Sequence, residues 1–257
     1  MESSLPAGMS IRIPHRTVTR RVLPNGTTLL YAPNPYNQIV ALRVISRLGS
    51  RHEPAEKAGL ANLSMILLPA GTTRHSEDQI ADQLEKNGAQ FKAEAGKDRG
   101  AVDLQTTTHC LREDLDTVLE LLDSPTFPED KLEREREVVR MNLLEQDDSR
   151  LHFTMRIFYQ HYFGAHPYAW PSLGRVETLD AIQRDGLVAF AHAALDPANL
   201  VVSVVGGGEN GEVREIVAEA FGARPARRAA MPPDCPPATP MIHGDATILE
   251  HRETEAE

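Results

Sequence analysis

The sequence predicts an α+β fold with helices packed on one face of a largely antiparallel sheet. Three observations carry this expectation. An Asn25-Gly26 turn separates two short apolar runs, and an alternating, Thr-rich stretch suits two strands that meet between Gly96 and Gly100. Strands and helices are interspersed without the regular βαβ period that a doubly wound sheet needs.

Each element follows from local pattern. Residues 1 to 17 are polar with two prolines and read as a flexible lead-in. "TRRVLPNGTTLLYAPNP" gives a hairpin, and "QIVALRVISRLGS" gives a β-branched strand that ends at Gly49. "GLANLSMILLPAGT" reads as a buried helix stopped by Pro69 and Gly71. In "SEDQIADQLEKNGAQ", Ser76 is the expected N-cap, acidic residues fill the first turn, and Asn87-Gly88 is the stop. "FKAEAGKDRGAVDLQTTTHC" supplies two strands, and the stretch from Arg112 to Ser149 supplies two helices broken between Pro125 and Pro128. Residues 151 to 163 read as a helix, "VETLDAIQRDGLVAFAHAAL" as one or two more, "NLVVSVVGGG" as a fully apolar strand, and "GEVREIVAEAFGA" as a last helix. The main domain is thus expected over residues 18 to 224. A Pro-rich linker and the start of a truncated second domain are expected over residues 225 to 257.

Composition narrows the function classes. A chain of 257 residues that is 41% hydrophobic can bury a sizeable core. Its net charge of -10 offers no basic footprint for nucleic acid or an anionic membrane. The first residues lack the apolar core of a signal peptide, and no stretch of about 18 apolar residues occurs, so a cytoplasmic protein is expected. Cys110 and Cys235 are far apart and form no CxxC or Cys/His spacing, and the glycines after "NLVVSVV" do not make GxGxxG.

Isolated candidates are weak. His152, His161 and His166 could be imagined as a metal cluster, but scattered histidines usually make solvent or loop contacts. Ser64, Ser76 and Ser172 lie in no nucleophile elbow. His109 and Cys110 would point to opposite faces if both sit on a strand. "EDKLERERE" reads as a solvated helix face with paired charges.

Six blocks taken in order are far more specific: "LPNGTTLLYAPNP", "GSRHEPAEKAGLANL", "LPAGTTRHSEDQIADQLEKNGAQ", "LEREREVVRMNLLEQDDS", "HPYAWPSLGRVETLDAI" and "DPANLVVSVVGG". Together they resemble the N-terminal half of the M16 family of zinc peptidases, the pitrilysin and mitochondrial-processing-peptidase-like proteins. The resemblance implies the fold of that family, a LuxS/MPP-like metallohydrolase fold. In active members the block after Gly-Leu-Ala carries His-x-x-Glu-His on a helix, where the histidines bind zinc and the glutamate activates water. The matching positions here are Asn62, Met65 and Ile66.

The family's third ligand, a glutamate about 76 residues beyond the second histidine, falls on Asn142, while Glu135 matches a family glutamate that is retained. The resemblance therefore implies a degenerate homologue with no catalytic residues, no cofactor and no metal of its own. Zinc is expected only in a partner, an active M16 subunit bearing His-x-x-Glu-His, with which this chain would enclose a peptide. The alternative is a non-peptidase scaffold or assembly protein with no substrate role.

Overall fold

The computed structural model describes residues 18–208 and 211–226, with 237, 239, 241 and 247. The expected lead-in over residues 1 to 17, Cys235 and the expected second-domain strand after the linker lie outside the described residues, apart from Met241 and Thr247.

A six-stranded sheet has the spatial order β1-β2-β6-β3-β5-β4. The strands are β1 (Thr19–Val22), β2 (Thr28–Ala32), β3 (Ile39–Ser46), β4 (Gln90–Ala95), β5 (Gly100–Thr107) and β6 (Leu200–Gly206). All neighbours are antiparallel except β2 and β6, which run parallel. The Asn-Gly turn works as anticipated: Gly26 takes φ +94°, and Asn25 Nδ2 donates to the Phe221 and Arg224 carbonyls, tying the hairpin to the last helix.

Alternation along the strands decides which face is covered. Val40, Leu42 and Val44 of β3, Leu29 and Tyr31 of β2, and Val202 and Val204 of β6 are buried beneath helices. Their neighbours Arg43, Asp103 and Glu94 form a partly exposed ion-pair network on the opposite face. β6 lies inside the sheet between β2 and β3 and is apolar except for Ser203, which sits on its half-buried face.

The described helices are α1 (Leu60–Ile66), α2 (Glu77–Lys86), α3 (Leu111–Asp123), α4 (Glu129–Asp148), α5 (Arg150–Phe163), α6 (Val176–Leu179), α7 (Arg184–Ala194) and α8 (Glu212–Gly222). Ser76 caps α2 as expected, in a capping box with Gln79. No described helix is long and apolar enough to cross a membrane.

Two expectations need correction. The "EDKLERERE" face is not wholly solvated, because Arg136 is buried: its guanidinium donates to Ile182 O at 2.8 Å and pairs with Glu133 at 2.5 Å. Neither His109 nor Cys110 lies on a strand, since β5 ends at Thr107 and Cys110 is the N-cap residue of α3. Arg224, also buried, binds Asp123 through two nitrogens and donates to Leu195 O, so the folded body extends at least to residue 224.

Candidate functional site

α1 carries three of the four positions singled out in the sequence, and its placement depends on its first residues. Gly59 precedes it at φ +105°, and no side chain of its own caps the helix. The buried carboxylate of Glu53 takes that role, accepting from the backbone N–H of Gly59 at 2.9 Å and of Ala61 at 2.8 Å. Sequence reading did not single out Glu53, because a cap contributed from six residues upstream leaves no Ser/Thr/Asp/Asn signature at the helix start.

Burial pushes the Glu53 carboxyl from its ordinary 4.5 up to about 7, against the lowering effect of those N–H groups and of Lys97. Lys97 in the β4–β5 turn is half-buried, and loss of hydration lowers it from 10.5 to about 8, with Glu53 and Asp98 opposing the shift. The folded chain keeps the Glu53 proton to higher pH than the unfolded chain does. Stability from this group is therefore expected to fall by up to about 3 kcal/mol as pH rises from 4.5 to 7. For Lys97 the unfolded chain holds its proton longer, so stability should recover above about 8. Urea midpoints across this range check both limbs. Glu53→Gln should flatten the acid limb, and an unchanged slope would remove the assignment.

Asn62 and Ile66, four residues apart on α1, share one helix face. Asn62 is 6% exposed, and its Nδ2 has no hydrogen-bond partner among the described residues. Ile66 is half-buried. Met65 is fully buried and occupies the space above Gly100 of β5, where a Cβ would come within 2.7 Å of its terminal methyl. The position matching the family's water-activating glutamate is thus part of the packed core.

α4 packs against α1, α5 and α6 and carries the remaining positions. Asn142 is exposed, and Glu135, two turns earlier, is half-buried and paired with Arg134 at 3.1 Å. These residues do not fit zinc. An amide is a weak neutral ligand, isoleucine has no donor atom, the buried thioether suits softer metals, and a single retained carboxylate is not a ligand set.

The histidine cluster is not formed either: among the described residues, no three His, Cys, Asp or Glu side chains come together so as to hold a metal ion. His152 Nδ1 lies 3.0 Å from Ser149 Oγ, and His166 stacks edge-on to Tyr168. Ser64 donates to Leu60 O within its own helix, and Ser76 serves as a cap.

Two further features adjoin α1. β4 is one of the sheet's two edge strands, paired among the described residues only by β5, and packed against α1. A cavity of about 780 Å³ opens between α4, α5 and the segment from Pro167 to Glu177. Neither was legible in the sequence, since both depend on which strand ends the sheet and on how far α5 stands off the body.

Residues 28–170 match the family described as insulinase (peptidase family M16). An uncharacterised zinc protease of Rickettsia felis is 25% identical over 184 residues, covering 72% of this chain and 45% of that protein. One of Mycobacterium leprae is 28% identical over 217 residues, covering 84% and 49%. This chain therefore spans about half the length of these relatives. Among solved structures, the inactive domain of an M16 peptidase from Pseudomonas fluorescens superposes with a TM-score of 0.77 at 25% identity, covering 83% of this chain and 52% of that one. A protease from Helicobacter pylori shares the fold at a TM-score of 0.75 and 21% identity, covering 86% and 55%.

Proposed function

Because this chain belongs to the insulinase family of peptidases, M16, matched over residues 28–170, we propose that it is a non-catalytic M16 subunit. In this reading it holds a peptide that an active, zinc-bearing subunit cleaves. The observation that carries the reading is the joint loss at Asn62, Met65, Ile66 and Asn142, with Met65 taken into the core. One such change could be tolerated variation. Four at the matched positions remove both histidine ligands, the base and the distal carboxylate together, and leave no general base on α1.

Shape survives the loss of chemistry. Strand addition to a sheet edge uses backbone N–H and C=O groups and needs no metal. β4, paired on one side only and adjacent to α1, is the strand that would offer them. The likeness to a domain described as inactive, from Pseudomonas fluorescens, is consistent with a non-catalytic role.

The test is direct. The purified chain should hydrolyse no peptide alone, and mixing it with an M16 subunit bearing His-x-x-Glu-His should raise that subunit's cleavage rate by at least about tenfold. Hydrolysis by the isolated chain, with stoichiometric zinc on elemental analysis, would overturn the reading.

A scaffold role without substrate is the second reading, and one observation favours it. α5 has no buried residue, yet Leu151, Met155, Phe158 and Tyr159 recur at helical spacing and are exposed. Peptide binding by the isolated chain separates the two, since a pure scaffold would show none.

A further inference from the structure

The cavity beneath α5 combines an apolar wall with an excess of basic groups. Leu143, Met155, Tyr159, Phe163, Tyr168 and Trp170 supply the apolar surface. Lys97, His152, Arg156 and Arg175 reach it from the β4–β5 turn, from α5 and from the segment before α6. Its acidic lining residues are Asp147, which is paired with Arg156 at 2.9 Å, and Glu177. Lys and Arg thus outnumber carboxylates three to two in the lining of a chain of net charge -10, with Glu53 and Asp98 also facing Lys97.

The basic groups are held in place. Lys97 Nζ donates to the carbonyls of Pro167 and Trp170, and Arg175 Nη2 donates to Ala55 O at 2.6 Å. The Arg175 guanidinium stands 5.2 Å from the Trp170 ring centre. Trp170 Nε1 and Arg175 Nε are buried and have no hydrogen-bond partner among the described residues. Lys97 is lowered only to about 8 and stays mostly charged at neutral pH. It also follows the last residue of β4 by two positions, so the cavity lies just past the end of the edge strand.

We propose that this cavity binds a carboxylate carried on an apolar body, namely an Asp or Glu side chain of a bound peptide flanked by large apolar residues. Aromatic walls take the apolar flank, and Lys97 and Arg175 take the charge. The proposal rests on the reading of this chain as a peptide-holding subunit and adds the class of peptide held.

Trp170 is the sole tryptophan, so its emission reports the cavity directly. The full chain should be titrated with a blocked Leu-Glu-Phe-Glu-Leu peptide, with its Gln and Lys versions, and with 3-phenylpropionate as a free acid of similar chemistry. A saturable change is expected with the Glu peptide, with affinity at least about tenfold weaker for Gln and Lys. Arg175→Gln should weaken Glu-peptide binding by a similar factor, whereas Arg20→Gln on exposed β1 should not. The ligand series on the unmodified chain stands even if Arg175→Gln misfolds.

Equal binding of the three peptides would overturn the acidic preference while leaving the peptide-holding reading intact. Response to 3-phenylpropionate alone would overturn the peptide form and assign the cavity to a small free acid. Acidic-peptide binding without any effect on a partner's cleavage would instead count against the subunit reading alone.

Discussion

Exchanging Asn62 and Ile66 for histidine and Asn142 for glutamate is expected to turn a chain with no zinc site at these positions into one that retains about one zinc per molecule. The gain in affinity should be at least on the order of a thousandfold, because three borrowed positions then supply two imidazoles and a carboxylate. The frame supports this: the two α1 positions share a face, α4 packs against α1, and Asn142 is exposed, so a carboxylate there costs little desolvation. Adding zinc at a hundred times its dissociation constant should stabilise the triple variant by about 2.7 kcal/mol, and the parent not at all through this site.

Hydrolysis is a harder gain. Met65→Glu would place a carboxylate where the thioether now lies fully buried against Gly100, and the cost of burying it should lower stability by several kcal/mol. Elemental analysis and thermal shift with and without zinc check the series. A folded triple variant that stays metal-free would mean that the spacing between α1 and α4 no longer matches a ligand set.

Gly174→Ala is expected to cost about 3 kcal/mol or more, read as a loss in urea midpoint at unchanged slope. Gly174 has φ +98°, and a Cβ there would stand 2.3 Å from Ala58 O and 2.7 Å from Gly59 Cα. The approach is mutual: Gly59 has φ +105°, and its own Cβ would meet Leu173 O at 2.8 Å. Both obstacles are backbone, so neither can swing aside. Thr178 Oγ1 donating to Ala58 O at 2.7 Å closes the same junction, which fixes the start of α1 against the loop before α6.

Gly88→Ala is the control. It has φ +65° but nothing within 4 Å of a Cβ, so only backbone strain of about 1 kcal/mol is expected. Equal costs at the two positions would remove the close approach as the cause.

This junction also shows what a sequence can carry. Gly59 and Gly174 lie in two of the blocks that resemble M16 peptidases. That they touch each other is visible only once the chain is folded. The strands and helices within the described region follow the order read from local pattern, since turn glycines, the Ser76 cap and apolar periodicity act over a few residues. The proposed correspondence of Asn62, Met65, Ile66 and Asn142 to the family's zinc-site positions rests on sequence alone, because it uses spacing and no contact information.

Other features depend on residues far apart in the chain. The parallel pairing of β2 with β6 joins segments roughly 170 residues apart, and no periodicity encodes a partner. Arg136 reads as part of a solvated face in the sequence, yet it and Arg224 are buried, donating to the carbonyls of Ile182 and Leu195. Residues 151 to 163 read simply as a helix, yet none of the residues of α5 is buried. Local sequence thus specified the elements, through interactions spanning one or two turns. The burial of Met65 and the basic cavity below α5 arose from long-range packing, where the environment of a charge or an apolar face is set by whichever distant segment comes to cover it.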